Sequence, residues 1–286
     1  MSKKINIGLI QMQCGNDVNA NLKKAEAKIK EATNKGAQII ALSELFSAPY
    51  FCQKEKDPNA IKFLETIPSG TTFEMLSKAA KDNKVIVVGG SIYEKGENGK
   101  LYNTAVIFDI DGSVFLKYRK MHIPHDPRYY EQNYFEKGNL GYQIADTRYG
   151  KISVLICYDQ WFPEASRILT LKGADLIFYP TAIGNFTDQE AFEGDWQKAW
   201  EDVQRGHAIA NNIYVAPINR VGIEDKLEFW GGSFVADPFG KILAHGGNNE
   251  EIILAEIDLD HAERVREEWG FFHNRRPESY EEILNS

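Results

Sequence analysis

Cysteine is scarce in this 286-residue chain. The three present, Cys14, Cys52 and Cys157, are odd in number, widely spaced and free of any CxxC pair. That pattern argues against a disulfide framework and against a cysteine zinc cluster. The six histidines form no HExxH or similar pairing, so no metal site is expected. No apolar run reaches about 18 residues, and the opening Met-Ser-Lys-Lys leads straight into a short apolar strand, without the hydrophobic region of a signal peptide. A cytoplasmic protein that does not engage a membrane is therefore expected. Lys and Arg form no block, and the net charge is −8, opposite in sign to the basic face that nucleic-acid binding needs. Linkers and low-complexity tracts are also lacking, so residues 1–286 read as one domain.

What is present suits a packed core. The hydrophobic fraction is 43% and the charged fraction 26%, near the average for globular chains. Residues 5–11 (INIGLIQ) read as a buried strand. Residues 19–35 carry Leu22, Ala25, Ile29 and Ala32 at helical spacing, and Gly36 stands where a helix ends. Strands are expected at 38–42 and 84–89, a helix at 72–82, and a hairpin joining 104–109 to 114–117 around Asp111-Gly112. The second half repeats the pattern: strands at 151–157, 175–179 and 213–217, helices at 161–172 and 196–211. Lys35-Gly36-Ala37 before QIIALSE matches Lys172-Gly173-Ala174 before DLIFYPT. Two copies of strand–helix–strand–helix–strand fit this, although such punctuation recurs in many α/β proteins. Either way, the alternation predicts an α/β fold with helices outside a buried sheet.

Four side chains could carry chemistry. Cys157 ends an apolar strand just before a helix expected near Pro163, which would place a thiol at the sheet rim, beside helix amides that favour a thiolate. A small buried hydrophobe is the commoner fate of a free cysteine. Glu44 ends the apolar QIIALSE strand, where a carboxylate must reach solvent, find a cation or keep its proton. Lys120 lies between Arg119 and His122, and residue type alone does not say which of these basic groups faces a site. Glu131 sits in a polar-aromatic loop and reads equally as surface charge. Together they offer a nucleophile, a proton carrier and an oxyanion stabiliser, the set amide hydrolysis requires. A cysteine needs less help than a serine, since its pKa starts near about 8.5 and nearby positive charge lowers it.

At these positions the sequence resembles the nitrilase superfamily, which carries Glu, Lys and Cys in this order. The matching stretches are ALSELF around Glu44, KYRKMHIP around Lys120 and ICYDQWFPEASR around Cys157. GLIQM (8–12), NTAVIFD (103–109), QRGHAIAN (204–211) and GGSFVADPFG (231–240) extend the likeness over nearly the whole chain. The resemblance implies a single-domain α-β-β-α sandwich, two layers of sheet flanked by helices. It also implies a homo-oligomer, dimeric or larger, assembled through sheet-face helices and a C-terminal arm (261–286), and no cofactor. Carried over by position, Glu44 is the general base and acid, Lys120 the electrophilic stabiliser, Cys157 the nucleophile, and Glu131 a second carboxylate that positions Lys120 or substrate.

Within the family, YFCQ (50–53), MHIPHDPRYYE (121–131), CYDQWFPEA (157–165) and YPTAIG (179–184) are similar to members that hydrolyse N-carbamoyl amines. The expected partner is a small ureido amine, N-carbamoylputrescine in particular. The Tyr158 backbone N–H would share the oxyanion with Lys120. Tyr50, Tyr130 and Trp161 would hold the rest of the substrate, Ala182 would line the site, and Asp126, Glu193 or Asp195 would meet a terminal ammonium. Two other readings stand beside this one. The same machinery could serve a 3-ureidopropionate hydrolase or an aliphatic amidase, the ureido acid calling for Arg or Lys in place of those acids. A non-catalytic scaffold or ligand-sensing module predicts a broken triad, whereas all three residues are present.

Overall fold

The computed structural model describes residues 4–190 and 192–284. In chain order the first half comprises β1 (Lys4–Gln11), α1 (Val18–Asn34), β2 (Ile39–Leu42), α2 (Thr71–Asn83), β3 (Ile86–Val88), β4 (Ile92–Lys95), β5 (Leu101–Phe108) and β6 (Val114–Arg119). The second comprises β7 (Ala145–Thr147), β8 (Gly150–Val154), α3 (Pro163–Leu171), β9 (Leu176–Pro180), β10 (Gly184–Phe186), α4 (Trp196–Asn211), β11 (Tyr214–Ile218), β12 (Val221–Glu224), β13 (Leu227–Trp230), β14 (Phe234–Ala236), β15 (Ile242–His245), β16 (Glu251–Asp258) and α5 (Leu259–Trp269).

These form two large sheets face to face, each backed by helices. The first runs β16-β1-β2-β3-β5-β4, with β6 also on β5; the second runs β15-β14-β11-β9-β8-β7. β10, β13 and β12 make a small third sheet. The period of two along a strand explains the layering. In β2, Ile39 and Ala41 enter the core between the sheets, while Ile40 and Leu42 pack under α1 and α2. Both faces are covered, so the strand is apolar throughout. On α1 the buried stripe contains Leu22, Ala25, Ile29 and Ala32, the spacing read from sequence, and Asp17 caps its start by accepting from Ala20 N.

The two halves repeat in topology. β1, β2 and β3 are parallel and flanked by antiparallel β16 and β5; β8, β9 and β11 are parallel and flanked by antiparallel β7 and β14. The strand expected at 84–89 is shorter, because Lys84 turns left-handed to close α2. The helix expected at 161–172 starts instead at Pro163, since Phe162 is extended and residues before it form a separate 3-10 turn. The start of the expected arm is α5, which buries Leu259, Ala262 and Val265. Past Gly270 the chain continues beside α3, with Arg167 over the Phe272 ring. No described helix is long and apolar enough to cross a membrane.

Candidate active site

β2 and β8 each lie among the parallel strands of their own sheet, and a polar site residue follows each of them, Glu44 and Cys157. After β8, Leu155 and Ile156 stay buried and Cys157 turns sharply, with φ +41. A non-glycine residue in that region stores strain of about 1–3 kcal/mol and persists only where surroundings over-determine it. Asp159, fully buried, supplies that determination. Its carboxylate accepts from Ile156 N (2.9 Å), Tyr118 Oη (2.8 Å) and His122 N (3.0 Å), and meets His122 Nδ1 at 2.7 Å. The His122 ring also stacks on Phe162 at 3.7 Å. The cysteine turn is thereby strapped to the segment that carries Lys120.

Glu44 lies two residues past β2 and is fully buried. Its Oε1 accepts from Asn103 Nδ2 (2.8 Å) and Lys120 Nζ (2.9 Å); its Oε2 has no hydrogen-bond partner among the described residues. Lys120, just past β6, also donates to Glu131 Oε2 at 2.6 Å, and Glu131 Oε1 accepts from Tyr50 Oη at 2.7 Å. An ammonium has three donors, so these two bonds leave one for a reacting oxygen. Close backbone approaches frame the pair. A Cβ on Gly138 would fall 2.0 Å from Arg119 O, and one on Gly90, at φ +56, would fall 2.2 Å from Ser43 O. Only glycine fits at either place.

Charge explains the resting state. Burial alone would push Lys120 down, but the Glu131 and Glu44 carboxylates outweigh it and hold the ammonium well above its usual pKa. Burial pushes Glu131 up to about 7, with Lys120 pulling it back and Glu44 adding to the rise. Cys157 is raised well above an ordinary thiol, first by burial and then by Glu44, against the pull of Lys120. These effects oppose the thiolate that nearby helix amides and Lys120 would favour. One ammonium faces two buried carboxylates, and this balance together with burial favours the Cys157 thiol over the thiolate. Its Sγ points to Ala182 O at 4.0 Å.

A cavity of about 420 Å³ opens on Cys157 and Glu131. Asp126, Tyr158, Trp161 and Glu193 line it, as does Glu190, which sequence reasoning did not single out. No Lys or Arg is among its described lining residues. Ala182 meets the Cys157 Sγ through its carbonyl, at the site, while three other expected contacts lie outside the cavity lining. Tyr50 is buried behind Glu131, Tyr130 sits edge-on to His125, and Asp195 caps α4 by accepting from Lys198 N. Asn103, Asp159 and Arg220 were also missed. Asp159 follows Cys157 at a spacing that suits a turn cap, but nothing local marks Asn103 or Arg220.

The arrangement unites a thiol, a carboxylate with a free oxygen, and an ammonium with a spare donor. Comparison with known proteins agrees. A family model described as carbon-nitrogen hydrolase matches residues 6–267. An N-carbamoylputrescine amidase of Solanum lycopersicum is 38% identical, over 99% of this chain and 96% of its own length. A citrullinase of Francisella tularensis is 37% identical, over 98% of each. The crystal structure of a carbon-nitrogen hydrolase from Helicobacter pylori G27 superimposes with a TM-score of 0.91 at 37% identity, covering 98% of both chains. The class is therefore that of enzymes hydrolysing a carbon–nitrogen bond. The chain belongs to the carbon-nitrogen hydrolase family of the nitrilase superfamily, with the amidase activity that class carries.

Proposed function

We propose that the protein hydrolyses the terminal ureido group of an N-carbamoyl amine, with N-carbamoylputrescine as the leading substrate. The observation that carries this reading is the cavity's charge. Its mouth holds Asp126, Glu190 and Glu193, and no described basic residue lines it. A cationic tail is welcome there, whereas a ureido acid or citrulline would bring a carboxylate against three acids. Likeness to the Solanum amidase points the same way, and likeness to the citrullinase supports a ureido head group.

In the proposed reaction, Glu44 Oε2 accepts the Cys157 proton as Sγ attacks the ureido carbon. The oxyanion meets the spare Lys120 donor and the Tyr158 N–H, an amide at the open start of a helical turn. Each such donor is worth about 3 kcal/mol. The bond to the terminal nitrogen breaks, Glu44 returns the proton, and ammonia leaves an S-carbamoyl enzyme. Water then gives a proton to Glu44 and attacks the same carbon, and the sulfur departs and regains that proton. The carbamate released breaks down to amine and carbon dioxide.

Ammonia release should be measured for N-carbamoylputrescine, 3-ureidopropionate, citrulline and simple aliphatic amides. The ureido amine should lead in kcat/KM by roughly tenfold or more, since juxtaposed like charges cost several kcal/mol. A faster ureido acid, citrulline or amide would overturn the assignment.

A further inference from the structure

A buried arginine far along the chain closes a ring of hydrogen bonds around Glu44. Arg220, between β11 and β12, is fully buried. Its Nη2 donates to Glu44 O (2.8 Å), Leu45 O (2.9 Å) and Ala48 O (3.3 Å), and its Nη1 donates to Glu224 Oε1 at 2.7 Å. The other Glu224 oxygen accepts from Tyr50 N at 2.6 Å. Tyr50 Oη donates to Glu131, Lys120 bridges Glu131 to Glu44, and the circuit returns to its origin.

We propose that Arg220 and Glu224 are positioning residues for the proton carrier. They act through the 44–48 turn and through Tyr50, and aim the free oxygen of Glu44 at the cysteine. Three features support this. The turn is strained, with Leu45 at φ +48, and the carbonyls Arg220 gathers lie along that strained stretch. A planar guanidinium can serve several acceptors at fixed angles, which a lysine ammonium cannot. Neither Arg220 nor Glu224 lines the cavity at Cys157, so their influence on the reaction passes through Glu44 and Glu131.

The inference rests on Glu44 being the proton carrier, so Glu44→Gln is the control. Glu224→Gln keeps size and one acceptor but removes the charge facing Arg220; Arg220→Lys removes the fork; Tyr50→Phe cuts the link to Glu131 while keeping the ring. Turnover should be measured across pH on folded, purified variants, well below their melting temperatures. The expected result is a kcat lower by roughly tenfold to a hundredfold in Glu224→Gln and Arg220→Lys, the range for misplacing a reacting group by about 1 Å. KM should stay within about twofold, because the substrate walls are untouched. The acid limb of the kcat/KM profile should move, and Glu224→Asp should recover part of the loss. Unchanged kcat and pH limb in folded Glu224→Gln, with Glu44→Gln inactive, would overturn the positioning role alone. An active Glu44→Gln would instead remove the base assignment on which it rests. If Arg220→Lys does not fold, Glu224→Gln and Tyr50→Phe decide the matter.

Discussion

Lys120→Met is the most informative single change, because it removes the ammonium that bonds both Glu44 and Glu131 while keeping the side chain's volume. The ammonium makes two bonds, at 2.9 and 2.6 Å, to fully buried carboxylates. Breaking a buried ion pair from one side costs about 3–5 kcal/mol. For a chain of this size each kcal/mol moves Tm by about 2–4 °C, so a fall on the order of 6–12 °C is expected for a loss of about 3 kcal/mol. The fall should depend on pH. Glu131, already raised to about 7, goes higher without its cation. A carboxyl group raised in the folded state contributes stability below its unfolded pKa of about 4.3, and loses it as pH climbs through the folded value. The variant should therefore trail wild type little near pH 5 and most near pH 8. Adding Glu131→Gln should restore part of the melting temperature and none of the activity. Loss of one oxyanion donor costs about 10²–10³ in rate, and misaiming Glu44 adds to that. Scanning fluorimetry at both pH values, with an ammonia assay, measures each part. A Tm penalty equal at pH 5 and pH 8, or a kcat/KM within tenfold of wild type, would refute the reasoning.

Three further outcomes follow from the same geometry. Methyl methanethiosulfonate, which lacks an amide, should modify Cys157 slowly at neutral pH and steadily faster as pH rises, because burial and Glu44 oppose its ionisation; a rate that plateaus below pH 7 would mean a preformed thiolate. Asp159→Asn must turn an NH2 toward donors that now share a carboxylate, so a stability loss of about 1–3 kcal/mol and a clear fall in kcat are expected; a variant matching wild type in both would remove the strap. Asp126→Asn, Glu190→Gln and Glu193→Gln should each raise KM for N-carbamoylputrescine by roughly two- to fivefold at low salt, the value of an exposed ion pair, and leave a neutral amide unaffected; an equal rise for the neutral amide would place these acids outside tail binding.

The sequence by itself determined the main elements and the chemical types, and the two-sheet layering came from the family resemblance. Apolar runs and helical spacing are local properties, so the strands before Glu44 and Cys157 and the buried stripe of α1 were legible without coordinates. The repeated strand–helix pattern was legible too, and both sheets carry it as one strand order. The short β10, β12, β13 and β14 were not, because three- and four-residue strands carry too little periodicity. At the site, motif order marked Glu44, Lys120 and Cys157, but not the burial and the carboxylates that oppose ionisation of Cys157. A pKa depends on burial and on every neighbouring charge, and Glu44 and Glu131 approach from distant parts of the chain. Tertiary structure alone decided that Tyr50 stands behind Glu131, that Asp195 caps a helix, and that Arg220 reaches back across 176 positions to Glu44. Hydrogen bonds between such distant residues leave no local pattern, since each partner satisfies its own segment's spacing whether or not the other is near.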